Sequence, residues 1–130
     1  MPPLLGPLAQ VAVTFHDVPR AVAWYRDVLG LPLVFETNGM AFFAMGDVRL
    51  MMTAPEKPEY DHPASVLYFK VANIDEAYAV LESRGAICED RPHLIGQMGS
   101  TEIWMCFLRD PERHLVGITE ERAGVKGQQH

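Results

Sequence analysis

The chain has 130 residues, 48% hydrophobic and 22% charged, enough apolar sequence to build one domain's core without metal or disulfide staples. With 11 Lys and Arg against 17 Asp and Glu, and a formal net charge of -6, it offers no basic cluster, which argues against nucleic acid and anionic membranes as partners. No apolar run approaches the ~18 residues that span a bilayer, and Cys88 and Cys106 form no Cys-x-x-Cys, which excludes a zinc ribbon or a thioredoxin-type dithiol.

The opening stretch, Met1 to Leu8, is apolar, but it carries Pro2, Pro3 and Pro7 and no basic residue. It reads as an extended arm rather than a signal peptide, and the expectation is a cytoplasmic protein. Val11, Val13 and Phe15 then alternate as on a strand with one buried face. Asp17 is an N-cap, and Val18, Ala21, Val22, Tyr25 and Leu29 fall at helical spacing. Gly30 suits the left-handed position after a helix, and Pro32 prevents its resumption. Short strands are predicted near 33–37, 40–44 and 48–53. Residues 54–64, with three prolines and the charged Glu56, Lys57, Glu59 and Asp61, read as a linker.

The same pattern then recurs. Leu67, Phe69 and Val71 alternate, Asn73 caps, and Ile74, Ala77, Tyr78 and Leu81 take helical spacing up to Gly85. Strands are predicted near 86–90, 101–108 and 114–120, with a flexible glycine-containing loop over 96–100 and a disordered tail over 123–130. The expectation is a single α+β domain of 1–130: a βαβββ module over 8–53, the linker 54–64, and a second module over 65–122. The paired modules would form a cupped eight-stranded mixed sheet with its helices outside.

Three stretches carry a resemblance. Asp17-Val18-Pro19-Arg20-Ala21-Val22-Ala23-Trp24-Tyr25-Arg26-Asp27-Val28-Leu29-Gly30-Leu31 is one. Asn73-Ile74-Asp75-Glu76-Ala77 with Leu81-Glu82-Ser83-Arg84-Gly85 is the second, and Phe107-Leu108-Arg109-Asp110-Pro111 the third. In this order they resemble the vicinal-oxygen-chelate superfamily, which includes glyoxalases, bleomycin resistance proteins and dioxygenases, over about residues 8–122. The resemblance implies a U-shaped cavity and commonly a homodimer, across which the arm 2–8 would pack. It also implies metal ligands at the positions of Gln10, Met51, Val66 and Gly117. Only Gln10 there offers oxygen. Met51 is a soft thioether, and Val66 and Gly117 offer no side-chain donor. The expectation is therefore no classical metal and no cofactor, with a non-standard site at Gln10, His93 and Glu102 as the escape.

Alternation assigns the cavity face. Gln10, Thr14, Arg49, Met51, Val66, Tyr68 and Gly117 are expected to point inward. If Phe107 is core, Glu102, Trp104 and Cys106 share that face, and a carboxylate beside an indole suggests a task. His93 would complete a histidine–carboxylate pair with Glu102, as general base or substrate clamp; the bland alternatives are a rim glutamate and a loop histidine. His16, His62 and His114 suggest structural or solvent roles, and Cys106 is a weak candidate nucleophile. Two functions stay open. One is a small-molecule-binding protein, favoured by the missing ligands. The other is a lyase, isomerase or dioxygenase-type enzyme acting on a small oxygenated or aromatic substrate, favoured by Glu102 and His93. The family pattern has glycine where Arg113 stands, and the expectation is a remodelled turn that keeps φ of Arg113 negative.

Overall fold

The structure is a computed structural model describing residues 4, 6–37, 39–55, 57–61 and 65–123. His62, the tail from 124 onward and residues 1–3 and 5 of the arm lie outside the described residues. The chain divides into two units, Met1–Ser65 and Val66–His130.

The first unit comprises β1 (Gln10–Thr14), α1 (Val18–Asp27), β2 (Leu33–Glu36), β3 (Met40–Met45) and β4 (Val48–Thr53). Asp17 caps α1 as expected, its carboxylate accepting from the Arg20 amide at 3.1 Å. The sheet runs β1-β4-β3-β2. β1 and β4 are parallel, and the other pairs antiparallel. Parallel pairing of the first and last strand requires a crossover, and α1 supplies part of it. Val13, Leu50, Met52, Ala41 and Phe43 on one sheet face are buried, as are Val18, Ala21, Val22 and Tyr25 of α1. The opposite face is open.

The second unit repeats the plan with β5 (Leu67–Lys70), α2 (Ile74–Ser83), β6 (Ile87–Cys88), β7 (His93–Met98), β8 (Thr101–Arg109) and β9 (Leu115–Ala123). Asn73 caps α2 through the Glu76 amide at 3.0 Å. β5 and β9 are parallel, and β8 lies antiparallel to β9. The registers of the two units correspond: Ala12 opposes Met51 in the first, and Tyr68 opposes Gly117 in the second. Gly30 and Gly85 follow the helices at φ 75° and 88°, as the sequence pattern requires.

Both sheets mix parallel and antiparallel strands, and the fold is α+β. Three expectations are corrected. There are nine strands among the described residues, not eight, because the predicted 96–100 loop is largely β7 and its two-residue turn into β8. β6 and β7 lie end to end along one edge of β8. Pro92, which has no amide hydrogen, falls in the gap, where the Asp90 carboxylate accepts from the Phe107 amide at 2.8 Å. The two glycines that suggest a loop serve strand geometry instead, Gly96 beside a bulge and Gly99 in the hairpin. β9 continues through Ala123, past the predicted strand end at 120.

The third correction concerns the β8–β9 turn. Arg113 has φ 70°, so the turn keeps the left-handed residue and was not remodelled. The buried Asp110 explains why: its Oδ1 accepts from the amides of Glu112 and His114, both at 2.9 Å, and its backbone carbonyl accepts from the Arg113 amide at 2.8 Å. These bonds hold the backbone path whatever side chain stands at 113. No helix among the described residues is long and apolar enough to cross a membrane.

A left-handed residue with a Cβ costs roughly 1–2 kcal/mol, and glycine returns only part of that through unfolded-chain entropy. Arg113→Gly is therefore expected to stabilise the protein by about 0.5–1 kcal/mol in urea unfolding. A destabilised variant would mean that the Arg113 side chain compensates for its backbone.

Candidate functional site

In the first unit Gln10, Thr14, Arg49 and Met51 lie on the sheet face opposite the buried one. Gln10 opposes Arg49 and Ala12 opposes Met51 across the parallel pair. Gln10 is engaged on both ends of its amide. Its Oε1 accepts from Arg49 Nε at 3.0 Å, and its Nε2 lies 3.8 Å from Met51 Sδ. Thr14 follows four residues after Gln10 on the same face.

In the second unit the open face is built by Tyr68, Gly117, Thr119 and, from β8, Ile103, Met105 and Phe107. Gly117 has no side chain for a physical reason: an added Cβ would lie 2.7 Å from Tyr68 Cδ2 and 3.1 Å from Phe107 Cε1. Tyr68 and Phe107 meet edge to face at 5.8 Å between centroids. Beside this cluster is an open hollow of about 430 Å³. Tyr68, Ile103, Met105, Ile95 and Met98 give it an apolar wall, Thr119 and Glu121 stand on the same face, and Gln97 also lines it. Val66 stands just before β5.

β8 corrects the face assignment. Cys106 and Leu108 are the residues buried in the core, at 1% and 0% exposure, with Val116 and Ile118 opposite Leu108 and Cys106 on β9. Glu102 and Trp104 share their parity and therefore lie on the helix side of the sheet, away from the hollow. There they join a polar cluster at the start of α2. Trp104 Nε1 donates to Glu102 Oε1 at 3.0 Å, and the Arg122 guanidinium lies over the indole at 4.2 Å. Arg122 pairs with Glu120 at 2.8 Å and Asp75 at 3.2 Å, and Glu120 accepts from the Ile74 amide. The Arg122 hydrogen bond, with help from that amide, holds the Glu120 carboxyl below the usual range. This ties β9 to the helix N-terminus.

His93 does not meet Glu102. It opposes Met105, three residues along β8 from Glu102 and on the other face, a separation of roughly 10 Å along the strand alone. Its Nδ1 lies 2.8 Å from the Arg91 carbonyl and 3.7 Å from Asp90 Oδ2. His16 is paired with Asp61 at 2.8 Å, and His114 with Asp110 at 3.2 Å. Among the described residues no three His, Cys, Asp or Glu side chains cluster as a metal site.

The residues missed from sequence are Ile103, Met105 and Phe107 on β8, with Ile95, Gln97 and Met98 on β7 and Glu121 on β9. Alternation along β8 does not carry the signal; the pairing with β9 does. Since Val116 and Ile118 read as core, a five-residue turn over 110–114 places Leu108 and Cys106 opposite them.

The model of the Glyoxalase/Bleomycin resistance protein/Dioxygenase superfamily matches residues 8–118. The chain is 28% identical over 125 residues to the uncharacterized protein YraH of Bacillus subtilis (strain 168), an alignment covering 85% of this chain and 95% of that protein. It is similar in structure to a lactoylglutathione lyase from Agrobacterium tumefaciens, with TM-score 0.70, 21% identity, and coverage of 91% of this chain and 96% of that one. It is likewise similar to a superfamily member from Sphaerobacter thermophilus DSM 20745, with TM-score 0.75, 17% identity, and coverage of 90% and 98%. At these identities the structural likeness is one of fold.

Two outcomes follow from the geometry. Gly117→Ala forces the Tyr68 ring to move and is expected to cost about 1–3 kcal/mol, with a smaller cost in a Tyr68→Ala background; additive losses in that double-mutant cycle would contradict the contact. Burial pushes the Cys106 thiol up to about 12, so it stays a thiol, not the reactive thiolate, near neutral pH. Iodoacetamide should modify Cys106 only in the unfolded protein, as read by mass spectrometry.

Proposed function

The chain belongs to the glyoxalase/bleomycin resistance protein/dioxygenase superfamily, and from that premise we propose that it is a metal-independent small-molecule-binding protein. Membership alone does not choose between binding and catalysis, so the choice rests on the side chains.

The observation that carries the proposal is the Tyr68–Gly117 contact. At one position where the family would supply a ligand there is no side chain, and the Tyr68 ring occupies the space a Cβ would need. The other positions support the same reading. Val66 has no donor, Met51 is a thioether unsuited to hard cations, and the Gln10 carbonyl oxygen already accepts from a guanidinium. A divalent ion would meet one neutral oxygen beside a fixed positive charge. These residues do not fit a metal.

What remains is an apolar hollow with few polar groups, of a volume in the range of small-molecule sites. Met98 and Met105 give it a wall that adapts to ligand shape, and thioethers make favourable contacts with aromatic rings. A compact apolar or aromatic molecule with one or two polar groups suits it. The enzymatic alternative depended on a Glu102–His93 base, and the two side chains lie on opposite faces of their sheet.

The test uses Nile red, a neutral aromatic dye, followed by fluorescence. Wild-type protein is expected to bind it saturably. Met105→Glu, which puts a carboxylate against the apolar wall, should weaken binding at least tenfold, about 1.4 kcal/mol. Excess zinc or nickel should leave both the melting temperature and dye affinity unchanged. A metal-dependent rise in melting temperature, or a Met105→Glu variant with wild-type affinity, would sink the proposal.

A further inference from the structure

The open face of the first unit holds a cation in a fixed pose. Arg49 is solvent-exposed, yet its guanidinium is restrained from two directions. Nε donates to Gln10 Oε1 at 3.0 Å. The guanidinium carbon lies 5.1 Å from the centre of the Phe42 ring. The register explains both contacts: Gln10 opposes Arg49 on β4, and Phe42 opposes Met51, two residues further on the same face.

The consequence is a matter of donor counting. A guanidinium has five N–H donors, and the single hydrogen on Nε is used. The end carrying Nη1 and Nη2 keeps its four. That end presents two parallel donors, the geometry that a planar carboxylate accepts bidentately. Among the described residues, no carboxylate forms an ion pair with Arg49. Arg26 and Arg109 each have one, and Arg122 has two. Asp47 stands near it in sequence and lines the same strand-end hollow, without pairing. In a chain with net charge -6, an arginine without an acidic partner, held by an amide and an aromatic ring, is set to receive an anion.

The surroundings restrict which anion. Phe42 continues into Phe35, their ring centres 6.1 Å apart, and Met51 lies on the same face. These give an apolar floor beside the fork. Phe35 is 47% exposed, so the floor is open to a ligand. We propose that Arg49, oriented by Gln10 and Phe42, binds the carboxylate of a small aryl or alkyl acid whose apolar body lies over Phe42 and Phe35. Gln10, which stands at a family metal-ligand position, is then a positioning residue for an organic cation. The inference concerns the first unit and does not rest on the hollow of the second.

The experiment titrates the full chain with benzoate, with benzamide as its neutral isostere and inorganic phosphate as the competing anion. The Arg49 Nε–Hε signal is followed by nitrogen-15 NMR. A saturable benzoate shift is expected at Arg49, with benzamide at least tenfold weaker and phosphate weaker than benzoate. Arg49→Lys keeps the charge but loses the fork and should weaken benzoate at least tenfold, with its amide spectrum otherwise retained. Gln10→Leu keeps Arg49 and frees its guanidinium, and should weaken benzoate by a smaller factor. No saturable shift, equal binding of benzamide, tighter binding of phosphate, or full affinity in Arg49→Lys would each overturn the inference. Benzoate that displaces Nile red without shifting Arg49 would overturn it too, while leaving the reading of the second unit's hollow intact.

Discussion

Parallel pairing of the first and last strand within each unit is the constraint on which the remaining geometry depends. Because β1 lies parallel to β4, and β5 to β9, each unit must cross over between them, and its helix forms part of that crossover. The helix covers one face of its sheet and leaves the other open. With a side-chain period of two, one register decides the fate of every residue on both strands. Ala12 opposite Met51 and Tyr68 opposite Gly117 are the same position in the two copies.

Those two positions solve one packing problem in opposite ways. The first unit places a small residue on the first strand and a long one on the last. The second unit reverses the sizes. An added Cβ at Gly117 would lie 2.7 Å from the Tyr68 ring, so the tyrosine on β5 and the glycine on β9 fit as a pair in this ring pose. Tyr68 also meets Phe107 edge to face, at 5.8 Å between ring centres. In the first unit the Gln10 amide oxygen accepts from Arg49 on the neighbouring strand.

Polar groups elsewhere serve architecture. The Glu102, Trp104, Arg122, Glu120 and Asp75 cluster fastens β8 and β9 to the first turn of α2. Asp110 closes the β8–β9 turn with two backbone amides and keeps Arg113 in the left-handed region. A histidine and a carboxylate act together as a base only if both reach the same face, as His93 and Glu102 would have to. Here they do not.

By itself the sequence determined the repeat, the two helices with their Asp17 and Asn73 caps, the glycines that end them, and the faces of β1, β4, β5 and β9. Each of these is a local signal: a cap bonds an amide three residues on, and a strand with one buried face alternates. What only the tertiary structure decided is non-local. Residues 101–108 are apolar on both parities, so alternation could not choose between Cys106 and Phe107 as core. The choice was made by hydrogen bonding to β9 through the Asp110 turn. Likewise Leu94 and Ile95 beside two glycines could be loop or strand until the free edge of β8 paired them. Arg113 took a conformation its own type disfavours, because Asp110 holds both neighbouring amides and the surrounding bonds outweigh a cost of roughly 1–2 kcal/mol.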